Sequence, residues 1–176
     1  ITPSVFTYEF AKALSYEAER KEKVTKIHIK IDTGMSRIGF LAGENNEEIV
    51  DEIIKISKLP YIEIEGIFSH FATSDEYDKS YTLLQYGRFM DVCNRLEEKG
   101  LNIPIKHICN SAGIMMYPEM HLDMVRPGVI LYGMYPSDEV DKSRLDLIPA
   151  MTLKSTITHI KEVEPGRGVS YGKEYI

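Results

Sequence analysis

The chain has 176 residues and a mass of 20.1 kDa, enough for one core but short of the ~250 residues of a complete eight-stranded β/α barrel. Its 43% hydrophobic and 27% charged residues exclude disordered and fibrous classes, and a net charge of −6 with a pI near 5.4 excludes the clustered basic footprint of a nucleic-acid binder. Cys93 and Cys109 show no CxxC and no zinc-ligand spacing, which points to free thiols in a reducing cytoplasm and to no metal site.

The first segment, ITPSVFTYEFAKAL, has neither an initiator Met nor a signal-peptide pattern and reads as the middle of a longer sequence. A short strand is predicted over Val5 to Tyr8, then a helix over Glu9 to Lys23 with Phe10, Ala13 and Leu14 at helical spacing. Lys26 to Asp32 alternates strictly: Ile27, Ile29 and Ile31 share one face, His28, Lys30 and Asp32 the other. Asn46 to Ser57 carries the apolar stripe Ile49, Ile53, Ile54, Ile56 of a second helix. Tyr61 to Ser69 is the third strand, Tyr81 to Lys99 the third helix with Gly100 as its C-cap, and Ile103 to Cys109 the fourth strand. A short helix through Ala112 to Met116 precedes a fifth strand within Leu122 to Tyr132, which the Arg126-Pro127-Gly128 turn interrupts. The longest apolar tract, MVRPGVILYGM, is broken by Arg126 and Pro127 and falls short of the ~20 residues of a membrane span.

Four tracts close a β-like run with polar or glycine residues: IHIKIDTGMSRIGF, IEIEGIFSHFATSDE, IPIKHICNSAGIMMY and HLDMVRPGVILYG. Strands that repeatedly end in chemistry, alternating with helices, imply parallel strands with right-handed crossovers and a site at their C-terminal ends. The fold class is therefore α/β: a partial (β/α)8 TIM-type barrel of about five strands. After Pro136 the chain becomes a charged loop, and Met151 to Val163 is β-prone with no helix following. The expected organisation is a barrel segment over 1–136, a linker over 137–147 and the start of a C-terminal β domain over 148–176.

The tracts KIDTGMSRIGF, SHFATSDE, NSAG, VRPGVILYG and GVSYG, in this order and over essentially the whole chain, resemble alanine racemase, an enzyme family that uses pyridoxal 5'-phosphate. The resemblance implies a central fragment of an isomerase. The family's cofactor-binding lysine and phosphate-binding tyrosine would lie before Ile1, and the close of the β domain after Ile176. It further implies interconversion of L-alanine and D-alanine by two bases on opposite faces of the substrate, D-alanine for peptidoglycan, a cytoplasmic homodimer, and a fragment inactive without that lysine. A serine racemase of the same family and a non-catalytic pyridoxal-phosphate-binding barrel are the alternatives; GVSYG and the β-prone end weigh against the second.

The resemblance also assigns roles. Arg126 matches the arginine that bonds the cofactor's ring nitrogen; because guanidinium keeps its proton, the ring would stay a weaker electron sink. Taken alone, Arg126 could equally cap a turn or pair with Asp123. Ser111, with the backbone N–H groups of Gly128 and Val129, matches the phosphate ligands, beside Asn110; alone, Asn110 and Ser111 read as helix N-caps. Arg37 matches the arginine near the cofactor's phenolic oxygen and the substrate carboxylate. Lys30 matches a lysine carried as a carbamate, a reaction that burial of a neutral amine favours; without a barrel it would be a solvent-facing strand lysine. His70 matches the histidine that bonds the catalytic tyrosine, and Tyr171 the second base, acting across a subunit boundary from a glycine-flanked turn. His28, His107, His121 and His159 read as structural.

Overall fold

The computed structural model describes residues 1–173. Its regular elements, in order, are β1 (Ser4–Val5), α1 (Tyr8–Arg20), β2 (Thr25–Asp32), β3 (Phe40–Leu41), α2 (Glu47–Ser57), β4 (Ile62–Phe68), α3 (Ser80–Glu98), β5 (Ile105–His107) and α4 (Ser111–Met116). The sheet runs β1-β2-β4-β5, with β3 paired to the end of β2, and every pairing is parallel. The alternation in β2 sorts its residues as the sequence predicts. Ile27, Ile29 and Ile31 are fully buried beneath the helices, which contribute Val50, Ile53 and Ile56 from α2 and Phe89, Val92 and Leu96 from α3. Each such side chain is worth roughly 1.5–3 kcal/mol of burial.

The helix ends follow their chemistry. The Thr7 side chain accepts the Phe10 N–H at 3.2 Å and starts α1, one residue before the predicted helix. Gly100, at φ +83°, closes α3 with its N–H on Glu97 O and the Leu101 N–H on Leu96 O, the paired bonds of a glycine C-cap. Two carboxylates of α2, Glu47 and Asp51, meet Lys99 at the end of α3.

Two differences from the sequence reading stand out. Leu122 to Tyr132 forms no strand. The segment touches the edge of β5 through the Asp123 N–H on Lys106 O and the Arg126 N–H on Cys109 O, and then Pro127, which has no N–H, stops any ladder. A single helical turn, Val129–Tyr132, follows. The second difference is β3, whose two residues carry too little pattern to be seen in sequence. The β-prone tract Met151 to Val163 has no strand pairing among the described residues, and its apolar side chains are exposed.

Candidate functional site

The face of β2 opposite the isoleucines points away from the helices. Lys30 and Asp32 on it are only 3% and 5% exposed, so this face too is covered, with two ionisable groups buried on it. The Asp32 carboxylate is committed to the turn that follows, accepting the N–H groups of Gly34 and Ser36 at 3.0 Å each. Lys30 has less company: Nζ donates to Ile31 O at 3.0 Å and lies 5.2 Å from the centroid of Phe68. Burial, reinforced by the Arg126 charge, lowers its pKa to about 8.

Arg126 is the hub. One terminal nitrogen donates to Ser69 O at 2.7 Å, to Ile108 O at 3.3 Å and to His70 Nδ1 at 3.3 Å; the other donates to His107 Nδ1. Asp123, its sequence-level alternative partner, instead accepts the Lys106 N–H at 2.9 Å. Because guanidinium offers donors alone, Nδ1 of both histidines must be the acceptor, and in the neutral rings the proton sits on Nε2. The His107 Nε2–H then donates to His28 Nδ1 at 2.9 Å, which leaves the His28 Nε2–H facing the Glu65 carboxylate 3.6 Å away. Burial first, then the Arg126 charge, lowers His107 to about 3 and His70 to about 4, so both rings are neutral at ordinary pH. Arg126 is itself lowered by burial, to about 10, and stays charged.

This row needs Gly66. A Cβ there would stand 2.5 Å from the His28 ring, so only a glycine on β4 lets the ring lie across the strand. Phe68 completes the interior, stacked on His107 with centroids 4.8 Å apart and rings 5° from parallel.

Beside Arg126 opens a cavity of about 320 Å³, lined in part by His70, Asn110, Ser111, Gly128 and Val129. Asn110 is the N-cap of α4, accepting the Gly113 N–H at 2.9 Å, and it also accepts the Ser74 hydroxyl at 2.9 Å. Ser111 Oγ accepts the Gly128 N–H at 2.8 Å, leaving its own proton free for the cavity.

The structure thus gathers His70, Asn110, Ser111, Arg126, Gly128 and Val129 at one place, with Lys30 adjacent on the interior side. Arg37 is exposed on the turn after β2, where its charge still acts on Lys30 and His70. Tyr171 stands apart, 99% exposed in the turn Tyr171–Lys173. His107 and His28, read from sequence as structural, form a row that links Arg126 to Glu65. The signal was present in the alternation, since His28 shares its face with Lys30 and Asp32. His107 has no comparable flag, because β5 is only three residues long.

A segment of parallel β/α barrel with its polar cluster at the strands' C-terminal ends is an enzyme-type barrel by position and chemistry. The chain belongs to the alanine racemase family: the family described as alanine racemase, N-terminal domain, matches residues 1–136. It is 57% identical over 175 residues to an alanine racemase of Clostridium tetani, covering 99% of this chain and 44% of that protein. A solved alanine racemase of Clostridium difficile 630 superposes with a TM-score of 0.85 at 51% identity, over 99% of this chain and 45% of that one. Its complex with cycloserine gives 0.86 at 49% identity, over 92% and 44%. The chain spans less than half the length of these relatives.

Proposed function

We propose that these residues are the central part of a pyridoxal-phosphate-dependent racemase that interconverts L-alanine and D-alanine, supplying D-alanine for peptidoglycan in the cytoplasm as a homodimer. The observation that carries the reading is Arg126, held by four acceptors beside a cavity lined by Ser111, Gly128 and Val129. The fit to the cofactor rests on this donor set. Ser111 keeps a free O–H next to Gly128 and Val129, which suits a phosphate, while Arg126 and neutral His70 suit a heteroaromatic nitrogen and its surroundings. When bound, pyridoxal phosphate supplies an electron sink that acidifies the substrate's α-proton.

The chain's own residues do the rest. Arg126 offers donors and no acceptor, so it keeps its proton and tempers that sink. His70, with Nδ1 tied to Arg126, carries its proton on Nε2 and can donate to a phenolic oxygen. Tyr171, on its projecting turn, is the group we assign to one face of the substrate, brought from the C-terminal region of a second copy; residues 148–176 are read as the start of a β domain that presents it. Lys30 is a buried amine whose pKa of about 8 leaves an appreciable neutral fraction, the form that takes up carbon dioxide. As a carbamate it would become an anion able to hold Arg37. A complex of a family relative with cycloserine, a cyclic amino-acid analogue, supports an amino-acid substrate.

The test is a racemase assay on the complete protein, paired with borohydride trapping of the cofactor and peptide mapping. The reading expects alanine turnover, with the trapped lysine outside these 176 residues. The 176-residue chain alone should show neither. Stoichiometric labelling of a lysine within it, or a complete protein that turns over serine and not alanine, overturns the assignment.

A further inference from the structure

Tyr81, Gln85 and Arg88 stand at i, i+4 and i+7 on α3 and share one face of the helix. All three reach the loops after β2 and β4. Tyr81 Oη donates to Gly34 O at 2.9 Å, and Arg88 donates to Thr33 O at 3.1 Å. Gln85 makes three bonds: its Oε1 accepts the Ala72 N–H at 2.8 Å, and its Nε2 donates to His70 O at 3.1 Å and to Thr33 Oγ1 at 3.2 Å. Thr33 Oγ1 also pairs with Ser69 Oγ at 2.8 Å, so the two loops are joined directly as well.

Gln85 is fully buried. An amide at such a place costs stability unless its bonds are made, and a leucine would fill the space without that risk. Here both donor hydrogens and the acceptor are used, each on a loop that carries site residues. Gly34 shows how tight the seat is: it has φ +138°, and any Cβ on it would run into the Tyr81 hydroxyl. The first loop bears Arg37, and the second bears Ser69 O and His70, both contacted by Arg126.

We infer that Gln85 is a positioning residue: it ties the His70 backbone to Thr33, so that His70 Nδ1 stays on Arg126 and the Arg37 turn keeps a fixed place relative to both. The kinetic consequence rests on the racemase reading above; the structural one does not. In the complete protein, Gln85→Leu should lower kcat by at least about tenfold, since small misplacements of a proton-transfer group are costly. KM for alanine should stay within about twofold, because substrate binding is not what the clamp serves. Thr33→Val should lower kcat less, and the double variant should lose less than the product of the two single losses, because both remove the Gln85–Thr33 bond while Thr33→Val also removes the direct bond to Ser69.

Amide hydrogen exchange gives a readout independent of activity. Gln85→Leu should speed exchange at Ala72, Gly34 and Ser36 together by about tenfold or more while α2 amides hold their rates. Gln85→Glu keeps the acceptor, so it should leave Ala72 protected while the turn loosened at Thr33 exchanges faster at Gly34 and Ser36, whose own bonds are to Asp32; this variant also serves if Gln85→Leu does not fold. A wild-type protein that does not racemise alanine removes the kinetic arm and the racemase reading, and exchange then decides alone. Exchange rising equally across α2, multiplicative losses in the double variant, or unchanged kcat in an active enzyme overturns the clamp.

Discussion

Ile27, Ile29 and Ile31 in β2 and Leu153, Ile157 and Ile160 near the chain's end are the same kind of residue in similarly β-prone tracts, yet the first three are 0% exposed and the last three are 77–97% exposed. The difference lies in the neighbours. β2 pairs with β1, β3 and β4 and is covered by helices, so each isoleucine removes apolar area from water. Met151 to Val163 has no strand pairing among the described residues. β-propensity describes fitness for a pleated, half-covered surface, and without a partner it yields no strand. The lesson extends to function: the region with partners holds the polar cluster, and the region without them carries Tyr171 into solvent.

The largest effect should come from the hub of the first region. Arg126→Leu in the complete protein strips donors from His107, His70, Ser69 O and Ile108 O at once, and racemase turnover should fall by at least about 10²-fold. Arg126→Lys should rescue little, because an ammonium cannot span that fork of acceptors. Chemical denaturation then separates the two regions. Ile29→Ala should cost about 2–5 kcal/mol as a core cavity. Gly66→Ala should cost roughly 1–3 kcal/mol by pressing on the His28 ring. Leu153→Ser in the 176-residue chain should change stability by less than about 0.5 kcal/mol. A large loss at Leu153 would show that this region is packed after all.

A gentler probe is pH. His70 and His107 bind a proton only near 4 and 3 when folded, against 6.5 for a free imidazole. Above about pH 6.5 both states are neutral and nothing is lost. Below it the unfolded chain takes up protons first, so stability should decline as pH falls from 6.5 toward 4. Replacing His107 with Asn should flatten that slope in urea titrations run across the same window.

Much of this was legible in the residues. The alternation of β2, the helix stripes and the Gly100 cap pointed to the barrel segment, and the family resemblance carried by the strand-end tracts pointed to His70, Ser111, Gly128 and Arg126. What escaped were features set by distant approach. The His28–His107 contact depends on Gly66 and on the spacing of three strands, and Gln85 looks like any helical glutamine until two loops converge on it. The strand expected within Leu122 to Tyr132 failed because Pro127 ends its pairing after Arg126, although the backbone does run beside β5.

The racemase proposal divides the labour: residues of the barrel segment would hold the cofactor, and Tyr171 would serve one face of the substrate from outside it. Tyr171→Phe in the complete protein tests both halves together. Cofactor binding, followed by absorbance, should be unchanged within about twofold, because its ligands lie elsewhere. Deuterium wash-in at the α-carbon should fall steeply for L-alanine, while D-alanine, served by the other base, keeps exchanging. Equal loss from both enantiomers, or loss of the cofactor itself, would contradict the division.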